Sequence, residues 1–385
     1  MLKSIPIESL RTGMFLVEYG AGTFDRPLVR PNRLLESREE ITQLVREGVT
    51  CVLIDLARSR SARQAGAVSP STSADVSFAD EIVVASKTYA RALTVMHEVV
   101  EATRKGLTLD LTEPQGLAED LTASLGRNSR AAVSLTTLKR RGYMHVHSVN
   151  TAVVAAAFAL HLGCQGAQAR TLVLAGFLHD LGMCRVSARI LSKPGRLNAS
   201  ELTEVRKHPA EGLRLLQDCE GVSASLLKTM AEHHERFDGA GYPRGLSYEQ
   251  LGQPSRILAI ADTYAAMIAE RPYRAALLPR EALKRMYALK DREFYSEDLG
   301  QFIRCMGIFP VGSFVRLTDG RYAVVADVDP DKPLYPTVKV SFDHKMRSVR
   351  PEILNLALAA DLGGPGIQDC LDPQECRVEL SRILF

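Results

Sequence analysis

No pair of cysteines in this chain stands in a C-x-x-C spacing, and the seven present, Cys51, Cys164, Cys184, Cys219, Cys305, Cys370 and Cys376, are an odd number. That count argues against a disulfide framework and against a cysteine-ligated zinc site, and it fits a reducing cytoplasm best. No apolar stretch approaches the roughly 20 residues that cross a bilayer. The opening MLKSIPIESLRTGM also lacks the long apolar run behind a basic end that marks a secretory leader. A soluble, cytoplasmic protein without membrane insertion is expected. Charge of one sign is equally scarce. A formal net charge of +3 over 385 residues signals no strongly basic surface, so no DNA partner is expected and any phosphate-binding charge must be local. The remainder is ordinary globular composition, 46% hydrophobic and 24% charged, in a chain long enough to split into two or three compact units.

Four segments are expected from the pattern along the chain. Residues 1–57 read as a small α/β regulatory domain: MFLVEY and TCVLIDL as strands, with SREEITQLVREG between them as a helix. Ser37 and Glu40 have capping-box spacing, Ile41, Leu44 and Val45 share one face, and Gly48 supplies a stop. Residues 58–77 mix Arg, Ser, Ala, Gly and Pro without apolar periodicity and read as a linker, its arginines Arg58, Arg60 and Arg63 simply solvated. Residues 78–308 are dominated by helical pattern. A first long helix carries Ile82, Tyr89, Leu93, Met96 and Val100, and runs such as TAVVAAAFALHLG and RTLVLAGFLHDLG are too long and alanine-rich for strands. The first helix does not sustain three or four heptads, so packing within its own domain is favoured over a coiled-coil seam, while a homodimer stays open. Residues 309–385 alternate as GSFVRLTDGRYAVVADV and YPTVKVSFD around an Asp319-Gly320 turn, which suggests a hairpin in a β-rich extension. The fold class expected is mainly α: a helical core with a small α/β domain before it and a small β-rich appendage after it.

The chemistry concentrates in that core. It contains His147, the pair His179-Asp180, His208, the pair His233-His234, and Asp262. Imidazole and carboxylate suit iron, manganese and related divalent ions, and sulfur is absent from these positions. Five histidines and two aspartates supply about two ligand sets with positions left for water and substrate. Neighbouring residues on a helix point about 100° apart, so His179 and Asp180 suit two adjacent ions better than one. A carboxylate can bridge both, which makes Asp180 pivotal. His97, His161 and His344 carry no expected role, and His145, two residues from His147, falls on a different helix face and is not expected to ligate. Asp238 reads as a turn residue of its loop.

The segments HSVNTA, FLHDLG, KHPAEG, HHERFDGAGYP and ADTYAAMIAERPYR resemble, in order and spacing, the motifs of HD-GYP phosphodiesterases of the HD superfamily, over about residues 127–308. Residues 1–57 are similar to a poorly characterised domain often found ahead of HD-GYP domains. The resemblance implies two divalent ions per chain, iron or manganese. His147, His179, Asp180 and Asp262 would hold one; His208, His233, His234 and the bridging Asp180 would hold the other. Asp180, His179 and Tyr242 would be catalytic, and Arg271, Arg274 and Tyr242 would contact substrate, guanidinium forks being matched to phosphate. The implied reaction is hydrolysis of cyclic di-GMP to linear pGpG or GMP by a metal-bridging hydroxide. The alternative is a cyclic di-GMP receptor with weak or no turnover. Protein partners implied are diguanylate cyclases with GGDEF domains or other signalling proteins. Three positions depart from the pattern. Met183 replaces the usual lysine, Ala265 replaces an aspartate, and Tyr143 stands where some members carry a glutamate ligand for a third ion, so two ions are expected rather than three.

Overall fold

The computed structural model describes residues 2–6, 10, 12, 14–21, 33–35, 38–46, 49–55, 76–138, 144–270, 275–329, 332–380 and 383. Two compact units divide the chain, Met1–Thr72 and Ser73–Phe385. The first holds β1 (Leu2–Pro6), β2 (Phe15–Ala21), β3 (Arg33–Leu34), α1 (Arg38–Arg46) and β4 (Val49–Asp55), its strands ordered β1-β4-β2-β3. Leu10, Leu16, Leu35, Leu44 and Val52 form its core, and Leu35 donates its N–H to Met14 O. Ser37 and Gly48, the expected helix signals, and most of the expected linker lie outside the described residues.

In the second unit, α2 (Phe78–Arg104), α3 (Thr112–Leu138), α4 (Met144–His161) and α5 (Ala167–Leu178) form the body of the helical core. Ser77 caps α2 by accepting the Asp80 N–H. The face of α2 carrying Ile82, Tyr89, Met96 and Val100 is buried, with Leu93 only partly so. The carboxylate of Glu81 is buried against α3, where Ser124 Oγ donates to it at 2.6 Å and Arg127 grips both oxygens at 2.7 and 2.8 Å. Burial opposes ionisation of Glu81, but the Arg127 and Ser124 hydrogen bonds outweigh it and hold the carboxyl below its usual range. Helix α4 is buried from Val146 to Ala159 because it is apolar on every side, and it packs against α2, α3, α5, α10 and α12. Alanine makes this possible: small side chains let other helices approach from all directions.

Short elements follow. They are α6 (Ala188–Leu191), α7 (Ala199–Val205), α8 (His208–Leu216), α9 (Ala224–Ala231), α10 (Gln253–Ile268), α11 (Pro279–Tyr287) and α12 (Ser296–Met306). The chain then closes with β5 (Phe314–Leu317), β6 (Tyr322–Asp327), β7 (Thr337–Phe342), β8 (Ser348–Asn355), α13 (Leu356–Asp361) and β9 (Ile367–Leu371). The five strands form one antiparallel sheet ordered β8-β7-β6-β5-β9, and Asp319-Gly320 turns β5 into β6 as the sequence suggests. One side of the sheet packs Val315, Leu317, Ala323, Val325, Val338 and Val340 together; on the other, Phe314 and Val324 meet Phe78 and Leu138 of the helical core. A mainly α protein with a small β-rich C-terminal part is the observed architecture.

Helix α5 lies close against α4 at Gly176, where an added Cβ would lie 2.4 Å from Ala152 Cα. Gly176→Val is therefore expected to overpack the core and cost about 1–3 kcal/mol. The thermal midpoint should fall by several degrees, and an unchanged midpoint would show that α5 can shift without loss.

Candidate metal centre

Each candidate ligand is delivered by a helix or a helix end. His147 lies in the first turns of α4, Asp262 lies within α10, His208 opens α8, and His233-His234 follows α9 directly. The pair His179-Asp180 was read from sequence as lying on a helix. The structure instead puts it where α5 stops: His179 still has helical angles, but Asp180 takes φ −94° and ψ 5° and starts a 3-10 turn, Leu181–Arg185. The cause is local. At Gly182 a Cβ would sit 2.0 Å from His208 O, so only glycine lets this turn lie against the start of α8 and bring Asp180 beside His208.

Two groups of converging ligand atoms result. Asp180, His208, His233 and His234 form one, and His147, His179 and Asp262 the other, the atoms within each group lying no more than 4.8 Å apart. Asp180 faces both. Its Oδ1 is 3.4 Å from His208 Nε2, while its Oδ2 is 3.4 Å from His179 Nε2 and 3.7 Å from His147 Nε2. Asp262 Oδ1 is 2.9 Å from His147 Nε2 and 3.5 Å from His179 Nε2.

Three of the histidines are oriented by the same device. Each donates Nδ1–H to the carbonyl three residues earlier: His179 to Gly176 at 2.9 Å, His208 to Val205 at 2.8 Å, His233 to Met230 at 2.6 Å. That bond assigns the proton to Nδ1 and leaves Nε2 as the inward-facing donor atom, as in ligating histidines generally. His208 Nε2 and His233 Nε2 consequently face each other across 3.3 Å, and His179 Nε2 is buried with no hydrogen-bond partner among the described residues. Facing lone pairs with no proton between them fit a bound cation and are costly otherwise.

The electrostatics agree. Burial alone would raise the carboxyls of Asp180 and Asp262, but His179, His147 and, for Asp180, His208 hold both well below the usual range. Burial pushes His233 well down and His234 down to about 4. At His179 burial also acts downward, yet Asp180 and Asp262 outweigh it and raise the ring well above its usual value. At neutral pH the donor set therefore offers two anionic carboxylates, the neutral rings of His233 and His234, and at His179 a ring that a cation can bind by displacing one proton. A divalent cation suits that set.

Residues 116–298 match the HD domain family, and residues 2–114 match a domain of unknown function, DUF3391. A cyclic di-GMP phosphodiesterase of Pseudomonas aeruginosa is 35% identical over 382 residues, covering 96% of this chain and 91% of that protein. The chain belongs to the HD-GYP family of HD-domain proteins. Shorter matches include a 3'3'-cGAMP-specific phosphodiesterase of Vibrio cholerae, 38% identical over 36% of this chain and 32% of that protein. A cyclic di-GMP phosphodiesterase response regulator of Xanthomonas campestris pv. campestris is 36% identical over 37% and 38%. Among solved structures, an HD-GYP-type protein from Bdellovibrio bacteriovorus aligns with a TM-score of 0.45 at 14% identity, over 78% of this chain and 98% of that one. HD domains are metal-dependent, and the His/Asp groups above are where this chain could hold its metal. No helix among the described residues is long and apolar enough to cross a membrane.

In this HD-GYP chain the signature Gly241-Tyr242-Pro243 follows the paired histidines in a loop fixed by two buried glutamates that sequence reading passed over. Glu235 accepts the N–H groups of Arg244 at 2.8 Å and Leu246 at 3.0 Å. Glu232 accepts Arg244 Nη2 at 2.5 Å and Ser255 Oγ at 2.7 Å, joining the end of α9, the loop and the start of α10. The signal available in the sequence was their placement on either side of the His233-His234 pair. Gly241 is required because a Cβ would meet Glu235 Cα and Arg236 N at 2.5 Å. The peptide Tyr242-Pro243 is cis. Asp238 is exposed and accepts the Ala240 N–H at 2.9 Å, the turn role expected of it.

Tyr242 stacks on His234, ring centroids 4.6 Å apart, at the edge of the centre. His145 meets His97 edge-on at 5.1 Å and belongs to neither ligand group. Met183 is half-buried in the 3-10 turn and Ala265 is fully buried on α10. Arg271, Arg274 and Tyr143 lie outside the described residues.

Glu235→Ala would leave two loop N–H groups without their acceptor, at about 1–3 kcal/mol each. Hydrogen exchange measured on the peptide spanning residues 240–247 is expected to accelerate in this variant. Wild-type exchange there would mean that the loop is held by other contacts.

Proposed function

We propose that this protein is a metal-dependent phosphodiesterase that opens cyclic di-GMP to a linear product, with His179, Asp180 and Tyr242 at the reacting end. The observation that carries the reading is the division of the two Asp180 oxygens between two sets of imidazoles. The near full-length relative from Pseudomonas aeruginosa, itself a cyclic di-GMP phosphodiesterase, supports the choice of substrate. His208, His233, His234 and Asp180 would hold one ion; His147, His179, Asp262 and Asp180 would hold the other, both iron or manganese. Bound there, such a pair would lower the pKa of water and offset charge on the phosphodiester transition state.

The chain's own residues supply the rest. Asp180 and Asp262 remain ionised and keep the ligand set anionic. Burial, followed by the neighbouring Asp180 and Asp262 charges, raises the Tyr242 phenol well above its usual value. Its hydroxyl, protonated throughout the physiological range, is a donor for a phosphate oxygen. Arg271 and Arg274 would grip further phosphate oxygens through bidentate forks. Met183 gives no such charge. Residues 1–57 would be the regulatory part of a cytoplasmic enzyme whose catalytic part begins at residue 78.

Cyclic di-GMP incubated with anaerobically purified, metal-loaded protein is expected to yield linear product resolved by chromatography. Asp180→Ala should lose both metals together with at least about a hundredfold in rate, since removal of even an outer-shell partner can cost that much. Binding of cyclic di-GMP by the loaded wild type without any linear product would instead make the protein a receptor.

A further inference from the structure

Among the described residues, Arg206, Arg236 and Arg244 lie beside the Tyr242 loop, and the last two are already engaged. Arg244 is paired with Glu232, and Arg236 Nη2 lies 3.3 Å from Glu293 Oε1. Arg206 is different. It is exposed, makes no ion pair among the described residues, and places its guanidinium carbon 5.2 Å from the centroid of the Tyr242 ring.

Its position follows from the backbone. Arg206 closes α7, two residues before His208, and the intervening turn is tied down because Val205 O accepts the His208 Nδ1–H. The base of the arginine is therefore fixed relative to one ligand, and its tip lies over the face of a ring that itself stacks on another ligand, His234. A cation–π contact uses the charge of a guanidinium without consuming its N–H donors, which stay available to an acceptor. The two Asp180 and Asp262 carboxylates make the neighbourhood anionic, and Met183, at the position where the resemblance leads one to look for a lysine, brings no cation to it. A pre-positioned guanidinium with unused donors beside that centre matches the planar, bidentate demand of a phosphate ester.

We propose that Arg206 is a substrate-binding residue that takes a phosphate oxygen of the cyclic dinucleotide from its perch on Tyr242. This rests on the phosphodiesterase reading above. Arg206 and Tyr242 then act as a pair: the phenol orients the guanidinium, and the guanidinium supplies charge that the 3-10 turn does not.

The test uses the full chain loaded with metal, with equilibrium binding of cyclic di-GMP and steady-state hydrolysis measured for wild type, Arg206→Ala and Arg206→Lys. Arg206→Ala is expected to weaken binding and raise KM by about tenfold or more, as loss of a charge-assisted hydrogen bond does, with a smaller effect on kcat and full metal content. The dependence of KM on ionic strength should flatten in Arg206→Ala and persist in Arg206→Lys, which keeps the charge but not the fork. Equal binding and KM in wild type and Arg206→Ala would overturn the assignment while leaving the enzyme reading intact. So would an effect of the same size in both variants with no change in salt dependence, since that is what mere packing on Tyr242 gives. Failure of the loaded wild type to bind or cleave cyclic di-GMP would remove the parent reading, and this one with it.

Discussion

Two carboxylates held among five imidazoles inside a helical core are unfavourable unless something positive compensates them, because ionised groups lose their hydration on burial. Asp180 carries most of that burden. It stands between two clusters of nitrogen atoms and offers one oxygen to each side. The arrangement makes physical sense as a preformed ligand cage, in which cations replace the hydration that the aspartates and the facing imidazole lone pairs have given up.

The scaffold is built to keep that cage from relaxing. Carbonyls three residues upstream turn three of the imidazoles inward, so the helix ends that carry the ligands also orient them. Gly182 lets the 3-10 turn touch α8, and Gly176 lets α5 seat against α4. Beyond the ligands, Glu232 and Glu235 extend the order into the signature loop, and Ser255 connects it to the helix bearing Asp262.

Much of the centre was legible in the sequence because its chemistry is written in adjacent letters: the HD pair, the HH pair and the loop that follows. The alanine-rich runs announced a helical core, since a segment such as TAVVAAAFALHLG can pack on all sides only as a central helix, and the Asp319-Gly320 turn announced a hairpin. Other features depend on distant partners and leave no local trace. The break of α5 at His179-Asp180 depends on contact with α8, far along the chain. The tasks of Glu232 and Glu235 are hydrogen bonds to residues nine to twenty-three positions away. The pairing of β9 with β5, which places the last strand at the sheet edge, likewise cannot be read from either strand alone.

The central claim is that Asp180 joins two cation sites, and anomalous X-ray scattering at the iron and manganese edges, on crystals of anaerobically purified protein, tests it most directly. Two peaks are expected, one among Asp180, His208, His233 and His234 and one among His147, His179, Asp180 and Asp262, with the Asp180 carboxylate touching both. A single peak, or two peaks of which only one touches the Asp180 carboxylate, would contradict it.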